Sequence, residues 1–332
     1  MSRLLTTVSA ITVIAGTYVN ADVPKVIADI APIHSLVSRV MDGVGEPKLI
    51  VPNETSPHDY RLRPADAQAI EDANLVFWMG EGLTPWMERA LEALNSDTDI
   101  VEFLALEEST RLSFREGALF EAHGDHDDHD DHDDHDDHDD HDDHDDHDDH
   151  DDHDDHAGHD HGEFDPHAWL STSNAKTWVN VIAAKLSSID PNNAGTYFAN
   201  ASEARNEMDA LDDEINAMLA PVRGGKFIVF HDAYQYFESV YDFPASGAIS
   251  LGDASDPSAA RIAEIADRIK RENIDCVLSE PQFNAGLVKT VMGGTDANTQ
   301  VIDPLGFGIE PGPALYPKLI RAMAKSLVDC LR

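Results

Sequence analysis

The chain has 332 residues and a formal net charge of −41, which argues against nucleic acid and anionic membrane surfaces as partners and favours cations. Residues 123–161 contain 14 of the 18 histidines and 22 aspartates, and we call this segment the His/Asp tract. The rest of the chain has 23 basic and 42 acidic residues, so it alone carries a charge of −19. Without the tract and an N-terminal leader, 272 residues remain, which is a length that predicts two domains.

The N-terminus is typical of a secretory signal peptide. A basic residue precedes an apolar run over residues 4–15, and the small residues Val19 and Ala21 stand at positions −3 and −1 of a cleavage point before Asp22. A buried N-terminal helix or a membrane anchor is the alternative, but the run is shorter than the ~20 apolar residues that span a bilayer. Residues 1–21 are therefore predicted to be removed on export to the periplasm.

Strands alternate with helices over the first hundred residues, which is typical of a parallel sheet with crossover helices. A turn-rich segment, 52–57, follows the second strand. The predicted strands are 26–30, 49–51, 75–79 and 99–103, and the predicted helices are 33–41, 64–73 and 86–94.

The His/Asp tract interrupts this pattern. Between His126 and His156 the triplet His-Asp-Asp repeats, and the near absence of apolar side chains excludes a packed core, so we predict a disordered loop. Imidazoles are good zinc ligands and aspartates concentrate cations, so the tract is interpreted as a low-affinity zinc collector or sensor. A solvated acidic loop without a role is the alternative.

The strand–helix alternation returns after a long helix that follows the tract. We predict an α/β fold of two (βα) lobes with parallel sheets: a first lobe over 22–190, a rigid linking helix over 191–220 and a second lobe over 221–332. A stiff linking helix predicts small lobe or loop adjustments rather than a wide hinge. The predicted helices are 173–187, 192–219, 233–240, 258–271, 285–292 and 316–331, and the strands are 227–230, 276–278 and 301–302.

Three of the four histidines outside the tract stand in loops or at strand ends, namely His58, His167 and His231. Ligands of open α/β sheets bind beyond the carboxyl ends of the strands, so these imidazoles are expected in the cleft between the lobes. Three imidazoles with one carboxylate or water form a tetrahedral zinc site. Asp303, which follows the strand 301–302, is a candidate carboxylate.

Other polar residues are candidates for supporting roles in this cleft. Asp59, Asp165 and Asp232 each lie next to or near one of the three histidines, and they are expected to orient the imidazole rings by hydrogen bonding. Glu280 follows a strand and is either a similar supporting group or an ordinary strand-end carboxylate. His34 begins a helix, where it is either an accessory ligand or a residue with a local polar contact.

The chain has two cysteines, Cys276 and Cys330. In an oxidising compartment they are a candidate disulfide pair, with two buried thiols or a metal-binding pair as the alternatives. The absence of a CxxC motif argues against redox catalysis and against a thiolate zinc site.

Five segments together resemble the metal-binding receptors of bacterial ABC uptake systems, specifically the high-affinity zinc-uptake family called ZnuA. They are SPHDYRLRP at 56–64, DPHAWLS at 165–171, FHDAYQYF at 230–237, EPQF at 280–283 and DPLG at 303–306. The His/Asp-rich insertion before the second segment also fits this family. The resemblance implies zinc held between two lobes by His58, His167 and His231, and a C-terminal disulfide between Cys276 and Cys330.

The resemblance also bears on the metal and its fourth ligand. Some zinc receptors have Glu before the first histidine, where this chain has Pro57, whereas Asp303 matches an aspartate that relatives use. We therefore predict Asp303 as the fourth ligand ahead of Glu280 or water. Manganese receptors place a carboxylate at the position of His231, and a third imidazole favours zinc over Mn²⁺.

The predicted function is that of a monomeric periplasmic receptor, not an enzyme, which captures Zn²⁺ and delivers it to an inner-membrane ABC permease. A zinc buffer or chaperone without a transporter is one alternative. The other is a secreted zinc hydrolase with Glu280 as its base, which is disfavoured because the chain has no HExxH motif, nucleophile elbow or P-loop.

Overall fold

The structure of the protein is a computed structural model that describes residues 23–93, 98–115, 120, 164–250, 252, 257–283 and 285–332. The predicted signal peptide and the predicted disordered tract lie outside these described residues. In the described ranges, every helix is either too short or too polar to cross a bilayer.

Two parallel four-stranded sheets form the cores of the two lobes. In the first lobe the strands are β1 (Val26–Ala28), β2 (Lys48–Leu49), β3 (Leu75–Trp78) and β4 (Asp99–Glu102), and in the second they are β5 (Phe227–His231), β6 (Ala248–Ser250), β7 (Cys276–Ser279) and β8 (Asn298–Val301). The strand orders are equivalent, β2-β1-β3-β4 and β6-β5-β7-β8. The central strands β1, β3 and β5 are buried along their whole length, as expected for strands that helices cover on both faces.

The helices begin and end where local sequence signals place them. Two begin with proline at their first position, and Ser171 caps another by accepting a hydrogen bond from the backbone N–H of Asn174. The helices are α1 (Ala31–Val40), α2 (Pro64–Glu71), α3 (Pro85–Glu92), α4 (Thr172–Ile189), α5 (Ala194–Leu219), α6 (Gln235–Tyr241), α7 (Ala259–Glu272), α8 (Ala285–Val291) and α9 (Leu315–Leu331).

The predicted long helix joins the lobes, and a second helix also contacts both of them. The 26-residue helix α5 packs against α1 and α4 of the first lobe and against α6 and α9. Helix α9 also contacts the first lobe. Its buried Tyr316 donates a hydrogen bond from the hydroxyl to the backbone oxygen of Trp169 at 2.9 Å. A disulfide between Cys276 and Cys330 ties the end of α9 to the beginning of β7. The lobes are therefore braced at two places.

The predicted fold class is confirmed, whereas strand β6 was not predicted and strand β8 overlaps its predicted range only at Val301. Strand β6 spans the three residues Ala248–Ser250. His231 ends β5, as the sequence predicted. The disulfide that the resemblance implied is present.

Candidate metal site between the lobes

A cleft lies at the carboxyl ends of both sheets, and its cavity volume of about 20 Å³ has room for one small ion or water. The three predicted ligand histidines line this cleft together with residues from both lobes. The lining residues are Ser56, Pro57, His58, Leu83, His167, Trp169, His231, Glu280, Gln282, Phe283, Pro304 and Leu305. Among these described lining residues there is no lysine or arginine, so a cation entering the cleft meets imidazoles and a carboxylate rather than positive charge.

His231 is positioned by the sheet of the second lobe. Strands β5 and β7 are neighbours, and their parallel register pairs Phe227 with Cys276. The same register, continued to the carboxyl ends, brings His231 beside Glu280, and the Nδ1 atom of the imidazole lies 2.6 Å from the carboxylate Oε1. Both side chains are buried, with Glu280 only 4% exposed. With the Glu280 carboxylate accepting the proton of Nδ1, Nε2 is the ring nitrogen that keeps a lone pair.

His167 is positioned by its own neighbours in the chain. The Asp165 carboxylate accepts hydrogen bonds from the backbone N–H of His167 at 2.9 Å and from its Nδ1 atom at 2.7 Å. Both residues are buried. The sequence prediction that Asp165 orients this ring is confirmed.

His58 lies in the loop between β2 and α2 and is half-buried. Its ring centroid is 6.1 Å from that of His167, which in turn is 5.3 Å from that of His231. Across the described part of the chain, however, no three His, Cys, Asp or Glu side chains have the spacing of a preformed metal site. The three imidazoles thus share one cleft without converging fully on one point.

Asp303 lies near this cleft but its carboxylate is engaged in a turn. The oxygen atoms accept hydrogen bonds from the backbone N–H groups of Leu305 at 3.0 Å and of Phe307, and from the side chain of Gln282 at 3.1 Å. Burial raises the pKa of the Tyr234 hydroxyl well above its ordinary value, and the carboxylates of Glu280 and Asp303 raise it further. Both carboxylates therefore add negative potential beside His231.

Asp232, which the sequence predicted to orient His231, has a different partner. Its carboxylate accepts hydrogen bonds from Arg115, whose guanidinium also bonds Glu238 at 2.8 Å. Burial raises the pKa of Asp232, and Arg115 acts in the opposite direction. The prediction was wrong because the Nδ1 atom of His231 bonds Glu280, whereas Asp232 bonds Arg115.

His34 lies outside the cleft. Its Nε2 atom is 3.1 Å from the backbone oxygen of Pro47 and its Nδ1 atom is 3.4 Å from the hydroxyl of Ser38. It lines a separate cavity between α1 and residues 310–313. The structure thus supports the local polar contact that the sequence offered as the alternative to an accessory ligand.

Comparison with known proteins places the chain among zinc-uptake components. Residues 26–330 match the family described as "ZnuA: Zinc-uptake complex component A periplasmic". A high-affinity zinc uptake system protein ZnuA of Brucella abortus (strain 2308) is 48% identical over 95% of this chain and 94% of its own length. The protein of the same description from Paracoccus denitrificans is 44% identical over 94% of this chain and 93% of its own length.

The solved structures support the fold. A structure described as a crystal structure of ZnuA aligns with a TM-score of 0.70, covering 94% of this chain and 100% of that chain at 22% identity. At this identity the likeness shows a shared architecture of two lobes, which agrees with the predicted fold class.

Proposed function

The chain belongs to the ZnuA family of periplasmic zinc-uptake components, and we propose that it holds its zinc ion between His58, His167 and His231. The observation that carries this proposal is the cleft in which the three imidazoles meet. For His167 and His231, a buried carboxylate occupies Nδ1, so Nε2 is the nitrogen that would coordinate. Zinc is the cargo of the protein, and the site retains it rather than activating it for chemistry.

Membership of this family makes the chain a solute-binding protein of a transporter and not an enzyme. Members of the family work with an ABC permease. We propose that this chain acts as a monomer and hands its zinc ion to such a permease in the inner membrane. The hydrolase and the buffer without a transporter are correspondingly disfavoured.

Asp303 is the proposed fourth ligand. Its carboxylate belongs to the turn that brings Pro304 and Leu305 to the cleft, and its charge acts on Tyr234 beside His231. Coordination would draw one carboxylate oxygen from the turn towards the ion, while His58 moves inwards on its loop. Glu280 and water are the alternatives, and Glu280 is the weaker of them because its Oε1 atom already bonds His231.

Crystals of the mature protein grown with zinc are expected to show one strong anomalous peak in the cleft. The peak should lie about 2.0–2.1 Å from a nitrogen of each of the three histidines, because this is the usual Zn–N distance. Diffraction data on both sides of the zinc absorption edge identify the metal. A peak that is not bonded to all three of these histidines would contradict the proposed ligand set.

Exchanging Glu280 for Gln is expected to weaken zinc binding by about 10-fold. A neutral amide lowers the basicity of the His231 ring and fixes its tautomer less firmly, and such outer groups are commonly worth about 10–100-fold in metal affinity. Competition with a chromophoric chelator measures the dissociation constant. Glu214→Gln is the matched control, because Glu214 pairs with Arg321 on the surface of α5 and α9. An effect of equal size in both variants would reject the assigned role of Glu280.

Deleting residues 125–160 removes twelve of the fourteen tract histidines and is expected to lower the number of zinc ions bound per chain by about three, at roughly four ligands per ion. This expectation follows from the proposed role of the tract as a zinc collector. Isothermal titration calorimetry of the full and the deleted chain measures stoichiometry and cleft affinity separately. An unchanged stoichiometry would leave the tract as an acidic loop without this role.

A further inference from the structure

We propose that Asn53 is a positioning residue for zinc retention, which fastens the loop carrying His58 to the turn carrying Asp303. The inference rests on the zinc site proposed above, since it concerns how that site stays closed. The Asn53 amide bonds the second-lobe backbone, and its expected effect is on the rate at which zinc leaves the site.

The amide of Asn53 spans the two lobes. It lies in the first-lobe loop between β2 and α2 and is only 8% exposed. Its Nδ2 atom donates to the backbone oxygens of Gly306 at 2.7 Å and of Ile309 at 2.8 Å, both in the second lobe. Because both partners are carbonyl oxygens, only the NH₂ group fits there, and both of its protons are used.

The turn that Asn53 holds is the one that contains the proposed fourth ligand. Gly306 has a φ of 86°, a left-handed conformation that favours glycine. Within the turn, the Asp303 carboxylate accepts hydrogen bonds from the backbone N–H groups of Leu305 and Phe307. Hydrogen bonds to the Asp303 carboxylate thus stabilise the turn from within, and the Asn53 amide bonds it from the first lobe.

A second bond from the first lobe reaches the same turn. The indole Nε1 of the buried Trp169 donates to the backbone oxygen of Pro304 at 2.8 Å. Trp169 lies two residues after His167, and Asn53 lies five residues before His58. Both first-lobe segments that carry a proposed ligand therefore donate hydrogen bonds to one turn of the second lobe.

This arrangement couples zinc release to the breaking of these bonds. An ion held between the lobes leaves when the ligand-bearing segments separate, and that separation must break the two bonds of Asn53, one buried and one partly buried. Loss of the bonds lowers the barrier to separation but leaves the ligands themselves intact. The effect is therefore expected mainly on the dissociation rate, as is usual for interface changes.

The test uses the mature full-length protein with Asn53→Ala and with Asn53→Asp, which keeps the shape but removes the donors. Stopped-flow transfer of zinc to an excess of chelator measures release. We expect release to be about 10-fold faster in both variants, with association changed far less, because each lost bond contributes a modest net stabilisation. Thermal unfolding of the metal-free protein is measured in parallel.

Asn200→Ala is the matched control. The Nδ2 atom of Asn200 also bonds two backbone oxygens, those of Val40 and Asp42, each at 2.9 Å, but it joins α5 to the end of α1 away from the cleft. Equal acceleration of release in this control would overturn the proposal by assigning the effect to general destabilisation.

Unchanged release in both Asn53 variants would also overturn it. If neither variant folds, Asn53→Gln keeps an amide but displaces its donors from the two carbonyl oxygens, and unchanged release there has the same meaning. A His231→Ala variant distinguishes failure of the zinc site from failure of the Asn53 role. Full zinc binding in that variant rejects the proposed site. Lost binding there, together with unchanged release from the Asn53 variants, rejects only the role of Asn53.

Discussion

Replacement of His231 by alanine is expected to weaken zinc binding by about 100-fold or more. Tetrahedral protein zinc sites bind with about 10–16 kcal/mol, so one of four ligands carries roughly 3 kcal/mol, which is about 100-fold in the dissociation constant. The substitution also leaves the buried Glu280 carboxylate without the imidazole that it bonds at 2.6 Å. Competition titration against a chelator of known zinc affinity measures the change.

His34→Ala is the control for this prediction. It removes an imidazole of similar burial that lies in a different cavity and bonds Pro47 rather than a cleft carboxylate. Its zinc affinity should equal that of the unmodified protein within about twofold. A similar loss of zinc affinity in both variants would contradict the assignment of His231 if circular dichroism shows that both variants are folded. If the spectra show unfolding, the loss reflects the fold of the variants.

Removing the disulfide by the double change Cys276→Ala and Cys330→Ala is expected to lower the free energy of unfolding by roughly 4 kcal/mol. The two cysteines are 54 residues apart in sequence, and in the chain-entropy model a cross-link over a loop of this length restricts the unfolded chain by about that amount. Urea denaturation of the metal-free protein measures the difference. The unmodified protein in a reducing agent should show a similar loss.

The same double variant should keep its zinc affinity under conditions in which it is folded. Cys276 begins β7, whereas the cleft lies at the carboxyl end of that strand, where Glu280 follows Ser279. A large loss of zinc affinity in the folded variant would instead indicate that the disulfide, through α9, sets the relative position of the lobes. Helix α9 packs against α1 and α5, so a shift of α9 after loss of the disulfide could alter the relative position of the lobes.

Local patterns were sufficient to predict the elements that produce the fold. Buried apolar runs and helical spacing predicted the nine α-helices of the described residues and most of the strands, although β8 overlaps its predicted range only at Val301. Strand β6 was not predicted. The three histidines were found for a similar reason, since strand ends of parallel sheets share one edge of the sheet.

The partners of the site residues were harder to predict, because they depend on register and packing. Asp165 was identified because it is two residues from His167 and bonds it locally. Glu280 is 49 residues from His231, and only the pairing of β5 with β7 brings them together. Asp232 is adjacent to His231 in sequence, yet it bonds Arg115, which is 117 residues away.

The sequence by itself determined the architecture of two parallel lobes, the family and the candidate ligands, because these follow from periodicity and from short motifs. The tertiary structure decided which carboxylate orients each imidazole, that α9 as well as α5 joins the lobes, and that Asn53 reaches across to Gly306 and Ile309. Such contacts join residues up to 256 positions apart, and no local pattern encodes a distance of that kind. The charge of −41 is correspondingly divided: the tract dominates it, whereas the proposed specific site depends on three of the four histidines outside the tract.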